Sequence, residues 1–235
     1  MNLPLKSEID KQGQAHLLEK DVWVFDLDNT LYPADADLFP QIDVLMGAYI
    51  SRLLTVDLVE AKKIQKGFFL SHGTTLKGLM ETYNVDPQHF MSFVHDIDLT
   101  PIDENQELNG YLEALPGQKY VFTNGSVDHA SRVLNKLGIE ENFAGVFDIS
   151  HSHYIPKPNP KAYDYFIDYF SIDPKKAVMV EDMARNLAPA HDRGMSTIWL
   201  KTDNDWGKMG HSKNFIHHEI DNLTLWLKGL LDIKG

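Results

Sequence analysis

The stretch Val22-Trp23-Val24-Phe25-Asp26-Leu27-Asp28-Asn29-Thr30 constrains the fold more than any other part of the chain. An apolar run stops abruptly at two aspartates spaced i, i+2. Such a run reads as a buried strand. In an extended chain residues two apart point the same way, so Asp26 and Asp28 project together from the strand's end. Paired carboxylates repel each other and are costly to desolvate. They call for a cation, a proton, or a reaction that uses both. Nucleophilic and acid/base chemistry on a phosphate ester, with a hard divalent metal between the acids, meets that need.

The rest of the chain supplies the sheet around this strand. Short apolar runs at 21–26, 120–123, 146–149, 177–180 and 197–200 read as strands, with 215–220 as a candidate edge strand. Helical patterns cover 104–115, 128–137, 160–170 and 184–193, and Asp221 is expected to cap a last helix carrying Leu223, Trp226, Leu227, Leu230 and Leu231. Strands alternating with helices predict an α/β fold, a doubly wound parallel sheet. Residues 33–100 read as helices only. One runs from Phe39 to Leu54, and a second starts at Asp57 and runs toward Leu70. A break at His72-Gly73-Thr74-Thr75 leads to a third, closed by Asn84, and Asp86-Pro87 opens a fourth. The expected organisation is an N-terminal arm (1–20), a core (21–32 and 101–235) and an inserted α-helical cap (33–100).

Composition narrows the partners. The chain of 235 residues carries 22 Lys and Arg against 34 Asp and Glu, a net charge of −12. That balance disfavours a nucleic acid polymer or an anionic membrane, yet one metal ion and one lysine suffice to bind a small anion. Cysteine is absent, which excludes disulfides, thiolate metal sites and cysteine nucleophiles. The first residues, Met1 to Glu8, show no apolar segment of the signal-peptide type, so a cytoplasmic location is expected. Nothing in the sequence fixes the oligomeric state.

Every polar candidate follows a predicted strand, where ligands of open α/β sheets bind. Asp26 and Asp28 follow the first, Thr123-Asn124-Gly125 the second, Lys157-Pro158-Asn159-Pro160 the third and Glu181-Asp182 the fourth. In this order the groups resemble the four motifs of the haloacid dehalogenase-like (HAD) hydrolase superfamily, mostly phosphatases. Asp26, Asp28 and Thr30 match the first motif, Thr123 the second, Lys157 the third, and Glu181 with Asp182 the fourth. The insert, with Gly73-Thr74-Thr75-Leu76-Lys77-Gly78-Leu79 and Val94-His95-Asp96-Ile97-Asp98, is similar to the pyrimidine 5′-nucleotidase branch.

The resemblance implies a HAD-like Rossmannoid core and a division of labour. Asp26 is the nucleophile, forming an aspartyl-phosphate that water cleaves. Asp28 is the general acid and then the base; metal contact favours ionisation of Asp26, and Asp28 can stay protonated on the leaving-group side. Magnesium, Mg²⁺, is expected on Asp26, Asp182 and the main-chain carbonyl of Asp28. Glu181 is expected to act through a water or as a hydrogen-bond acceptor behind the ligands. Many relatives carry an acid where this chain has Asn186, so the remaining metal ligands stay open. Thr123 with the backbone N–H groups of Asn124 and Gly125 would hold phosphate oxygens, and Lys157 would offset charge. Thr30 is expected to tie the turn after the strand. His72, Thr75 and Lys77 are candidates to read a base or ribose, or else form a capped surface turn.

Each motif has a plainer reading. The aspartate pair could cap a helix or solvate a loop, Glu181-Asp182 could answer a helix dipole, and Lys161 competes with Lys157. The four motifs in order favour Mg²⁺-dependent hydrolysis of a small phosphorylated metabolite, and the resemblance of the insert implies a pyrimidine nucleoside 5′-monophosphate. The alternatives are a phosphosugar phosphatase or phosphosugar mutase of the same superfamily, and a non-catalytic binding module. A dehalogenase is disfavoured, because that branch resembles this one without the second aspartate.

Overall fold

The computed structural model describes residues 14–203 and 205–233. Its strands are β1 (Val22–Phe25), β2 (Gln118–Phe122), β3 (Gly145–Phe147), β4 (Ala177–Glu181), β5 (Ser196–Leu200) and β6 (His218–Ile220). They form one sheet in the order β3-β2-β1-β4-β5-β6, with every neighbouring pair parallel. The aspartate-bearing strand is therefore central. The chain winds outward to β3, returns to β4 on the other side of β1, and winds outward again. That reversal between β1 and β4 opens a crevice at the carboxyl ends of the strands.

Helices cover both faces, as a parallel sheet requires. The helices α1 (Leu38–Leu54), α2 (Leu58–His72), α3 (Thr75–Tyr83), α4 (Pro87–Val94) and α5 (Gln106–Ala114) lie between β1 and β2. Then come α6 (Val127–Leu137), α7 (Pro160–Phe170), α8 (Ala184–Asp192) and α9 (Leu223–Leu231). Alternate residues of β1 divide the core. Trp23 and Phe25 pack with Val121, Val178 and Val180 among residues of α5, α6 and α9. Val22 and Val24 pack with Tyr120, Phe122 and Met179 against α7 and α8. Phe25 is fully buried, a burial worth about 1.5–3 kcal/mol.

The helical insert follows the local chemistry of its sequence. Asp57 caps α2 by accepting from the Glu60 N–H. Gly73 ends that helix at φ 86°, a conformation open to glycine without a Cβ clash, and Thr74 caps α3 through the Lys77 N–H. Asn84 closes α3 in the left-handed region, and Asp86 caps α4 with Pro87 in its first turn.

Several boundaries differ from expectation. The last helix is capped by Asn222, which accepts from the Leu225 N–H, because Asp221 instead pairs with Lys201 at 3.0 Å. β3 ends at Phe147, since the Asp148 carboxylate captures the N–H groups of Ser150, His151 and Val127 and draws the chain out of the ladder. Of the expected arm, Ala15–Glu19 forms a short 3₁₀ turn with Leu17 and Leu18 buried, while residues 1–13 lie outside the described residues. Among the described residues no helix is long and apolar enough to cross a membrane.

Candidate active site

Four strand ends bring the site together. Asp26 continues β1 and donates its backbone N–H to Val180 O of β4 at 3.0 Å, which fixes it at the crevice. Its carboxylate accepts from Lys157 Nζ at 2.7 Å and from the Thr30 hydroxyl at 3.3 Å. Thr30 thus ties the turn back to Asp26. Lys157 is buried and also donates to Glu181 Oε1 at 2.9 Å and to Phe122 O at 2.7 Å. Lys161, its rival in the sequence, is exposed at the start of α7.

The loops carrying these residues are joined to each other. The Asn124 side chain accepts from the Lys157 N–H at 2.8 Å and donates to the Lys157 carbonyl at 3.2 Å. Thr123 is buried and its hydroxyl oxygen accepts from the Gly125 N–H at 2.9 Å. The Gly125 N–H is therefore engaged within its own loop, whereas the sequence reading offered it to a phosphate. The Thr123 hydroxyl keeps its proton free to donate.

Burial and like charge set the electrostatics. Burial, with Glu181 and Asp28 adding to it against the opposition of Lys157, lifts Asp26 from 3.8 to about 7. Burial, Glu181 and Asp26 lift Asp182 well above the usual carboxylate range. Lys157 is also buried, but Asp26 and Glu181 outweigh that and raise its pKa above the ordinary lysine value. Asp28 behaves differently. Burial opposes its charge, yet the charge of His129 and hydrogen bonds from His129 and Tyr32 prevail and lower it to about 2. These donors thus favour the ionised form of Asp28 in the ligand-free protein.

One oxygen each of Asp26, Glu181 and Asp182 lie within 4.8 Å of one another. An all-oxygen set of this kind suits a hard divalent cation. Both Glu181 oxygens are already engaged, Oε1 by Lys157 and Asn186 and Oε2 by the Met183 N–H at 2.7 Å. That leaves Asp26 and Asp182 as the less committed carboxylates, with Glu181 bracing from behind. Asn186 donates to Glu181, and its Oδ1 is buried without a hydrogen-bond partner among the described residues, an acceptor still to be satisfied. The residues present fit Mg²⁺.

A cavity of about 1360 Å³ opens over these groups. Asp26, Asp28, Thr123, Lys157 and Asp182 line it from the core side, and Met46, Lys66, Phe69 and Thr75 from the helical insert. Thr75 is the one expected insert residue that reaches it. His72 lies 3.6 Å and Lys77 3.1 Å from the same carboxylate, Glu81, and neither lines the cavity.

Sequence reasoning assigned no role at the site to two histidines. His129, 1% exposed, approaches Asp28 Oδ1 with Nε2 at 2.8 Å. His95 stacks on it with ring centroids 4.3 Å apart, and burial, aided by the His129 charge, lowers the His95 pKa to about 3. A signal was present: His129 sits in the first turn of the helix that follows Thr123-Asn124-Gly125. Side chains there tilt back toward the helix N-terminus, and so toward the strand ends.

The family model for haloacid dehalogenase-like hydrolases matches residues 20–192. The chain belongs to this family. Haloacid dehalogenase-like folds recur among solved structures. A HAD phosphatase from Thermococcus onnurineus superposes with a TM-score of 0.61 at 19% identity, covering 92% of this chain and 98% of that one. YfnB of Bacillus subtilis, solved bound to magnesium, gives 0.58 at 15% identity over 90% and 98%. L-2-haloacid dehalogenase from Xanthobacter autotrophicus, with chloropropionic acid covalently bound, gives 0.55 at 13% over 89% and 97%. At such identities the likeness is one of fold. Phosphate metabolism protein 8 of Saccharomyces cerevisiae is 26% identical over 165 residues, 62% of this chain and 50% of the yeast protein. The chain thus spans about half the length of that curated relative.

Proposed function

We propose that this hydrolase cleaves phosphomonoesters with Mg²⁺ through an aspartyl-phosphate on Asp26, and that its substrate is a pyrimidine nucleoside 5′-monophosphate. The observation that carries the reaction type is Asp28: a second aspartate at the cavity, two residues past the candidate nucleophile and held by donors of its own. A reaction that stopped at alkylating Asp26 has no use for it. Hydrolysis of a phosphomonoester through Asp26 needs a group that moves a proton twice, onto the departing alkoxide and then off the attacking water.

In the first half-reaction an Asp26 oxygen bonds to phosphorus as the ester P–O bond breaks, and Asp28 protonates the departing oxygen. The negative phosphate beside Asp28 raises its pKa and favours the protonated form that this step uses. In the second, Asp28 takes a proton from the water that attacks phosphorus, and Asp26 is regenerated. Lys157 offsets charge on Asp26 and the phosphate, and Thr123 donates to a phosphate oxygen. Mg²⁺, held by Asp26, Asp182 and the Asp28 main-chain carbonyl, would supply further neutralisation of the phosphate. The helical insert would act as a cap that excludes water.

The substrate class rests on the cavity. It has room for a nucleotide, and Phe69 and Trp206, 5.1 Å apart at their ring centroids, are aromatic residues in its lining. The yeast relative's name concerns phosphate metabolism and one structural neighbour is a phosphatase, which supports the reaction type rather than the base. A phosphate-release screen over nucleoside monophosphates, sugar phosphates and short-chain phosphates tests this. UMP and CMP should lead; a preference for sugar phosphates would refute the nucleotide assignment. Turnover by Asp26→Asn equal to wild type would refute the nucleophile.

A further inference from the structure

Two hydrogen-bond donors converge on one oxygen of Asp28. Tyr32 OH lies 2.7 Å and His129 Nε2 2.8 Å from Oδ1. Tyr32 donates its hydroxyl proton to Oδ1, and His129 donates to the same oxygen in the tautomer that carries its proton on Nε2. Oδ2 takes no hydrogen bond among the described residues, and Asp28 lines the cavity. The two oxygens are thus made unequal by their neighbours.

His129 is an unusual ring to bury for packing alone. It is 1% exposed, and its Nδ1 is buried with no hydrogen-bond partner among the described residues. An orphaned buried nitrogen is a cost that a leucine of similar volume avoids. The ring's polar tie is Asp28. Its orientation is fixed by His95, whose ring lies nearly parallel at an interplanar angle of 11°. His95 pairs through Nδ1 with Ser126 Oγ at 2.9 Å. Its carbonyl accepts from Arg132 Nη1 at 2.8 Å, and Arg132 Nη2 donates to Ile97 O at 3.0 Å. One helix, α6, therefore holds both Asp28, through His129, and the segment at the end of the helical insert, through Arg132.

We propose that His129 is the positioning residue of Asp28, fixing Oδ1 so that Oδ2 is the oxygen that exchanges a proton with the leaving group, and that His95 braces it from the insert. This rests on the phosphatase reading above. A positioning residue for the acid matters most where the leaving oxygen needs a proton most. Packing alone would be indifferent to the leaving group.

The test is kcat/KM on a series running from 4-nitrophenyl phosphate, whose alcohol departs unaided, through phenyl to benzyl phosphate. General acid catalysis contributes ~10²–10⁴-fold. His129→Leu should lower kcat/KM roughly 10–100-fold on benzyl phosphate and less than about threefold on 4-nitrophenyl phosphate, a share of that contribution. His129→Gln, which keeps a donor at the reach of Nε2, should recover much of the loss. Adding His129→Leu to Asp28→Asn should cost nothing further, because the residue acts through Asp28. Equal losses across the series, or additive losses in the double variant, would overturn the proposal. Melting curves check that the variants fold. Should the leucine variant fail to, His129→Gln against His129→Asn, whose donor is one bond short, makes the same comparison. If wild type releases no phosphate from any of the series, the phosphatase reading itself falls and takes the proposal with it. If Asp28→Asn shows the leaving-group dependence and the His129 variants do not, only the proposal falls.

Discussion

Replacing Asp26 by asparagine should stabilise the metal-free protein at alkaline pH while abolishing turnover. Asp26 binds its proton in the fold up to about pH 7, against 3.8 ordinarily, so the fold takes up a proton that the unfolded chain has released. Stability from that proton is fully present below about pH 4 and is lost as pH rises through about 7. A difference of about three pH units corresponds to roughly 4 kcal/mol as a ceiling. Asparagine removes the titrating charge but also deprives Lys157 of an ionic partner, so about 2 kcal/mol is the expected gain at pH 8. For a chain of this size that is roughly 4–8 °C in melting temperature. The assay is thermal unfolding followed by circular dichroism in a chelating buffer at pH 5 and pH 8, for both proteins. The variant should match or trail wild type at pH 5 and exceed it at pH 8. Mg²⁺ should raise the wild-type midpoint at pH 8 more than at pH 5, where protons compete for the same oxygens, and should raise the variant's less. A variant no more stable than wild type at pH 8 without metal would refute the reasoning.

Lys157→Met should lower kcat by ~10²–10³ and destabilise the fold by about 3–5 kcal/mol, since Asp26 and Glu181 lose their buried cation; steady-state kinetics and urea melts check both. His72→Ala and Lys77→Ala should leave KM for UMP unchanged and stability within about 0.5 kcal/mol, because both side chains turn to Glu81. Gly125→Ala should lower kcat more than it raises KM. A Cβ there would lie 3.2 Å from Thr123 Oγ1 and 3.6 Å from the His95 ring, crowding the phosphate loop against the histidine pair.

What was legible in the sequence was whatever one segment decides by itself. The apolar run before Asp26, the caps at Asp57 and Asp86 and the left-handed Asn84 are local choices, and they appear where the pattern put them. The convergence of Asp26, Thr123, Lys157 and Asp182 was also legible, because strand order carries strand ends to one rim. Partnerships across long separations were not. His129 reaches Asp28 across 101 positions, and no periodicity announces it. The charge preference of Asp28 in the ligand-free protein depends on the same unseen donors. The sequence left open whether His72 and Lys77 reach the cavity, because helix rotation within the insert decides which side faces it.

The reciprocal pairing of Asn124 with the Lys157 main chain has a consequence for how the lysine is placed. An amide side chain there imitates one rung of a β-ladder, with one N–H and one C=O answered at 2.8 and 3.2 Å. The lysine is thereby indexed to the loop after β2, not to the strand that precedes it in the chain. The connection leading to it is tied to the same loop, with Ile149 donating its N–H to Gly125 O at 3.3 Å. In this chain the place of the lysine is therefore set by Asn124, 33 positions before it, and not by its distance along the chain from β3.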